Sequence, residues 1–127
     1  MKSIKKLSLA TALLFSVSHI FGITKATDPV AKTVAKNKAV VVIFTMPDCG
    51  PCKKVKPLFN QLKSYNKNVV YLEITINGSN AAYYRSAYGV TSAPTIVYFK
   101  NGKKQTMHVG AGVTLAQMRA IVNNLVR

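Results

Sequence analysis

Residues 40–56 read Val-Val-Val-Ile-Phe-Thr-Met-Pro-Asp-Cys-Gly-Pro-Cys-Lys-Lys-Val-Lys, and the rest of the chain is arranged around them. Val40 to Phe44 is a continuous apolar run, followed by a short turn that holds Pro47. Both cysteines of the chain, Cys49 and Cys52, then come three apart with Gly50 and Pro51 between them. Beyond Cys52 the apolar residues take helical spacing: Val55, Leu58, Phe59, Leu62 and Tyr65 fall at i, i+3, i+4, i+7 and i+10. A buried strand therefore leads into a helix, and the first cysteine stands where the helix begins. Unpaired amide N–H groups and the positive end of the peptide dipoles favour a thiolate there. The thiolate is the nucleophile of disulfide exchange, so the pair reads as a redox site.

Other uses of two cysteines fit less well. A zinc half-site needs two further ligands, and the chain offers only His19 and His108. Haem attachment wants histidine directly after the second cysteine, where Lys53 stands. An inert structural disulfide remains open, although a four-residue loop constrains the unfolded chain little.

With 127 residues the chain is one domain at most. Residues 1–26 have the pattern of an export signal: Lys2, Lys5 and Lys6, then a largely apolar run from Leu7 to Ile23, then small residues around Ala26. An uncleaved N-terminal anchor is the alternative, although the run is marginal for a membrane span. Residues 27–127 form the expected domain, long enough for one modest core. Without Lys2, Lys5, Lys6 and Lys25 that domain keeps 14 basic residues against Asp28, Asp48 and Glu73, a net +11. Such an excess can steer a protein to acidic partners or an anionic envelope surface, or simply keep its surface solvated. No nucleic-acid-binding motif accompanies it, and no nucleic-acid partner is expected. Lys53, Lys56, Lys63 and Lys67 share roughly one face of the helix after Cys52.

Taken in order, Asp28-Pro29 predicts a helix start, with Val30 and Val34 on one face to about Asn37. Ala39 to Thr45 is a strand covered on both faces. The helix after Cys52 carries Pro57 and ends at Lys67-Asn68. Val69 to Ile76 is a second strand. Ser79 is placed to cap a helix over Ala81 to Tyr88, which Gly89 stops. Thr95 to Phe99 is a third strand, Asn101-Gly102 a hairpin turn, and Lys103 to Val109 the returning strand. Thr114 and Gln117 make a capping box for a last helix whose Leu115, Met118, Val122 and Leu125 face inward. The α-β-α-β-α-β-β-α order predicts an α/β fold of parallel strands with crossover helices, closed by an antiparallel hairpin.

Nearly the whole of residues 27–127 resembles the thioredoxin family. The resemblance lies in Cys49-Gly50-Pro51-Cys52-Lys53 after a buried strand, Pro57, Tyr88-Gly89-Val90, Ala93-Pro94-Thr95, Phe99-Lys100-Asn101-Gly102-Lys103 and Val109-Gly110. It implies the thioredoxin fold, a central mixed β-sheet flanked by helices, and a thiol–disulfide oxidoreductase with no cofactor and no metal. By resemblance, Cys49 attacks a target disulfide, Cys52 resolves the mixed disulfide, and a cis Pro94 holds an extended substrate segment beside Cys49. Gly50, Pro51 and Ala93 complete that substrate-positioning surface. Gly-Pro between the cysteines is the dipeptide of reducing members, whose potentials lie near about −270 mV. The expectation is a monomeric reductase of disulfide-containing proteins, exported to the periplasm and supplied by a membrane thiol relay. An oxidase or isomerase using the same residues, or a docking module with a structural disulfide, are the alternatives.

Four departures stand out. Asp48 replaces the tryptophan usual before the first cysteine, and a carboxylate there opposes thiolate formation. Ile43 replaces the family's buried aspartate, and Glu73 the neighbouring lysine. If Glu73 is buried without a basic partner, it can serve as the base that deprotonates Cys52. Ala93 replaces a larger apolar residue and widens the groove.

Overall fold

A computed structural model describes residues 22–127. The expected export segment, residues 1–26, therefore lies almost wholly outside the described residues.

The unbroken apolar run is strand β1 (Ala39–Thr45), buried at all seven positions. It can be buried on both sides because helices cover both faces. On one face Val41 and Ile43 pack with Val55, Phe59 and Leu62 of α2 (Gly50–Tyr65) and with Met118, Val122 and Leu125 of α4 (Leu115–Leu125). On the other, Val40, Val42 and Phe44 meet Val30 and Val34 of α1 (Pro29–Lys36) and Tyr84 of α3 (Ala81–Tyr88). Each such fully buried aliphatic side chain contributes about 1.5–3 kcal/mol. The Phe44 and Tyr84 rings meet edge-on with centroids 5.1 Å apart.

Three further strands complete the sheet: β2 (Val70–Thr75), β3 (Thr95–Lys100) and β4 (Lys103–Val109), in the order β2-β1-β3-β4. Only β1 and β2 run parallel; β3 is antiparallel to β1, and β4 to β3. This corrects the expected run of parallel strands. β2 leaves the sheet with Thr75 level with Thr45, and β3 enters with Thr95 level with Phe44. The chain returns to the end it left because α3, eight residues and about 12 Å long, is followed by an irregular return through residues 89–94.

Local signals account for most boundaries. Asp28 caps α1 through Val30 N–H at 2.8 Å, with Pro29 in the first turn. Thr114 and Gln117 form the capping box of α4. Asn101 and Gly102 both have positive φ, 51° and 81°, as a primed hairpin turn requires. Other boundaries move. Helix α2 stops at Tyr65 with Asn66 as its C-cap, not at Lys67-Asn68. Asn80 takes the cap position of α3, because the Ser79 hydroxyl donates to Asn77 Oδ1 at 2.6 Å. Strand β2 is one residue shorter at each end than expected, and β3 extends to Lys100.

Asp28 does more than cap. It is fully buried, and its carboxylate also accepts the hydroxyls of Tyr83 (3.0 Å) and Tyr88, tying α1 to α3. Burial first, and then the Asp28 carboxylate, raise the pKa of both phenols, so both remain donors at neutral pH.

Candidate active site

Helix α2 begins where sequence chemistry places it. Asp48, exposed and at φ 54°, turns the chain into the left-handed region that aspartate tolerates better than most residues. Cys49 follows as N-cap in extended conformation, and Gly50 and Pro51 occupy the first helical turn, where proline's missing N–H costs nothing. The Cys49 sulfur accepts the Cys52 amide N–H at 3.2 Å, so it lies on the positive end of the helix. The two cysteines form a disulfide with Cα atoms 5.2 Å apart. They are not equivalent, since Cys49 is half-buried and Cys52 is 3 % exposed.

A second segment closes on this pair. The Ala93–Pro94 peptide is cis, and the Ala93 carbonyl oxygen stands 3.8 Å from Cys49 Sγ. That is a contact, not a hydrogen bond, because a disulfide sulfur carries no hydrogen. The segment is held from both sides: Thr95 Oγ1 donates to Ser92 O at 2.7 Å, and Gly110 N–H donates to Pro94 O at 2.8 Å. Gly110 needs φ 84° to do so, a conformation open to glycine at no steric cost. Cys49, Cys52, Ala93 and Pro94 thus come together, with Gly50 and Pro51 exposed beside them.

Glu73 does not join them as a buried base. Its Oε1 lies 2.8 Å from Lys56 Nζ, and the two side chains are 32 % and 45 % exposed. The condition for a base at this position, burial without a basic partner, is not met. The reason is local: β2 is an edge strand, and Lys56, one helical turn beyond Cys52, reaches across to it. Ile43, opposite Glu73 in the parallel register, is fully buried and leaves no carboxylate in the core beneath the cysteines. Of the lysine stripe, Lys56 is therefore paired, and Lys63 lies over the Phe59 ring at 5.1 Å. His108 Nδ1 bonds Tyr98 Oη at 3.0 Å.

Sequence reasoning missed the Lys56–Glu73 pairing, although the four-residue step from Cys52 to Lys56 was there to see. It also missed a cleft between Met46 and Arg85. An exposed methionine in the turn before Cys49 was the one signal for it.

The helix-start disulfide and the sheet that carries it define a class of protein that exchanges disulfides through a dithiol. Comparison with known proteins agrees. The family model described as Thioredoxin matches residues 23–124. Human thioredoxin is 36 % identical over 98 residues, covering 76 % of this chain and 88 % of its own. A solved thioredoxin pre-protein of Schistosoma mansoni is 28 % identical with a TM-score of 0.63, covering 77 % of this chain and 91 % of its own. A mutant thioredoxin from Halobacterium salinarum, 23 % identical, superposes with a TM-score of 0.70 over 84 % of this chain and 88 % of its own, a likeness of fold. The chain belongs to the thioredoxin family and is a thiol–disulfide oxidoreductase. Thioredoxins act on disulfide-containing proteins.

Proposed function

We propose that this protein is an exported disulfide reductase in which Cys49 attacks and Cys52 resolves. The observation that carries the reading is the asymmetry of the pair: Cys49 is reachable at the helix start, and Cys52 is turned inward. The Cys49 thiolate attacks one sulfur of the target disulfide, and the other target sulfur leaves as a thiolate and takes up a proton. The Cys52 thiolate then attacks Cys49 Sγ, closing the Cys49–Cys52 disulfide and releasing the second target thiol. Two electrons and two protons pass to the target. Ala93 and Pro94 hold the target segment beside Cys49, and Gly50 and Pro51 lie open to it. No step uses Glu73.

The reducing direction is supported by Gly50-Pro51, the dipeptide of reducing members. Export is supported by the basic and apolar pattern of residues 1–26. An oxidising envelope has no soluble thiol pool, so a membrane thiol relay returns the two electrons, and the protein acts as a monomer. The reduction potential against glutathione tests the direction: a value near about −270 mV supports reduction, and one near about −120 mV overturns it. Cys52→Ser traps a mixed disulfide with a target and Cys49→Ser traps none; the reverse pattern overturns the roles.

A further inference from the structure

The end of the sheet far from the disulfide gathers lysines from three separate segments. Strand β1 sets the two ends about 20 Å apart, at about 3.3 Å per residue. Lys36 and Lys38 flank the turn from α1 into β1, which begins at Ala39. Lys100 stands opposite Ala39, and Lys103 opposite Lys100. Asn101 N–H donates to Lys38 O at 2.7 Å and fixes the β3–β4 hairpin against that turn. Lys67 lies three residues before Val70, the partner of Val40. Lys36, Lys38, Lys67 and Lys103 are exposed, while Lys100 Nζ donates to Asn124 O at 3.0 Å.

A lysine without a carboxylate is the rule in this chain, so the uneven distribution is the observation. At the disulfide end, Asp48 and Glu73 stand with Lys53, Lys54, Lys56 and Arg85. The far end sets five lysines against no acidic side chain, since Asp28 is fully buried on Tyr83 and Tyr88. Helix polarity accounts for Lys36, in the last turn of α1, and not for Lys38 or Lys103.

Lysine at all five positions points to the kind of partner. Lysine is depleted at protein–protein interfaces, and a shaped carboxylate receptor uses the arginine fork. Compact charges on flexible stems suit a plane of phosphates, where each lysine near an anionic bilayer adds roughly fivefold in affinity. Tyr65 and Val70, on either side of Lys67, are 42 % and 36 % exposed. Such apolar surface strengthens binding at a membrane interface. A cleft of about 290 Å³, lined by Lys36, Asn37, Lys38, Asn101 and Gly102, opens at this end and admits a phosphate headgroup. Among the described residues no helix is long and apolar enough to cross a membrane, so this contact is one of surfaces.

We infer that the lysine end docks the protein on an anionic phospholipid surface, with the Cys49–Cys52 pair held on the side away from the lipid. The inference goes beyond the disulfide-exchange reading and leaves its electron flow unchanged.

Flotation of the protein, purified as its host processes it, with vesicles of phosphatidylcholine alone or mixed with phosphatidylglycerol provides the test. Binding is expected to favour the mixed vesicles and to weaken as salt rises. Joint Lys36→Gln, Lys38→Gln and Lys103→Gln lowers that preference about 100-fold. Joint Lys53→Gln, Lys54→Gln and Arg85→Gln removes the same charge at the disulfide end and changes the preference less than about fivefold. The vesicle-bound protein, once reduced, still reduces a water-soluble peptide disulfide. Equal losses for the two triple variants, no preference for the mixed vesicles, or reduction that is lost only on binding each overturns the inference. Binding to polyglutamate in place of the vesicles overturns it in favour of an acidic protein partner. Reduction of the same peptide in free solution reports separately on the disulfide-exchange reading.

Discussion

Replacing Glu73 by Gln separates two roles for that carboxylate by the size of the effect. Glu73 Oε1 and Lys56 Nζ are 2.8 Å apart, with side chains 32 % and 45 % exposed. At that separation the Coulomb attraction in water is about 1.5 kcal/mol. Ordering two flexible side chains and screening by salt reduce exposed pairs to about 0.2–1 kcal/mol. In a domain of this size 1 kcal/mol moves Tm by about 4–8 °C, so Glu73→Gln is expected to lower Tm by no more than about 8 °C. A double-mutant cycle with Lys56→Met isolates the pair and should return a coupling of at most about 1 kcal/mol. A general base instead accounts for about 10²–10⁴-fold in rate. Resolution can be timed directly, by loading Cys49 with a chromogenic thiol and following its release as Cys52 attacks, from pH 5 to 8. The expected rate for Glu73→Gln stays within about twofold of the parent, well short of the loss of a general base. A hundredfold slower release with unchanged stability would refute the reasoning and restore Glu73 as the base.

Two further perturbations follow from the same structure. Asp28→Ala removes a helix cap and strands the hydroxyls of Tyr83 and Tyr88; urea unfolding should show a loss of about 2–4 kcal/mol, and a loss under about 1 kcal/mol refutes the latch between α1 and α3. Burial lowers the pKa of His108 from its ordinary 6.5, so below that value the unfolded chain binds the proton more readily than the folded one. Its contribution is complete above pH 6.5 and is lost as pH falls through the lowered value. His108→Gln should therefore flatten the acid side of the stability profile, and an unchanged slope below pH 6.5 contradicts it.

Local chemistry made most of the architecture readable. The run from Ala39 to Thr45 could be recognised as a doubly covered strand because seven consecutive apolar or β-branched residues have no polar face to show to water. The caps at Asp28 and Thr114 and the Asn101-Gly102 turn were readable because each depends on a side chain or φ angle within three residues. Strand direction was not. The switch of β3 to antiparallel depends on how residues 89–94 double back after α3, and no periodicity encodes where a loop points. The Cys49–Cys52 spacing and the Ala93-Pro94-Thr95 segment were visible as motifs. Their approach to 3.8 Å required the whole sheet.

The charge pattern around the site shows why its remaining features were harder to read. The resemblance leads one to expect a carboxylate on β1 and a lysine on β2; this chain has Ile43 and Glu73 there, with Lys56 supplying the cation from α2. Seen one position at a time, these are a lost acid, a misplaced acid and one lysine of a solvated stripe. In space they place one ion pair at the edge of the sheet. A carboxylate at Ile43 would have to lose its water inside a fully buried cluster, a cost of several kcal/mol per ion. At the edge strand the same two charges keep most of their hydration. The redox pair consequently rests on an uncharged floor, with Asp48 exposed beside Cys49.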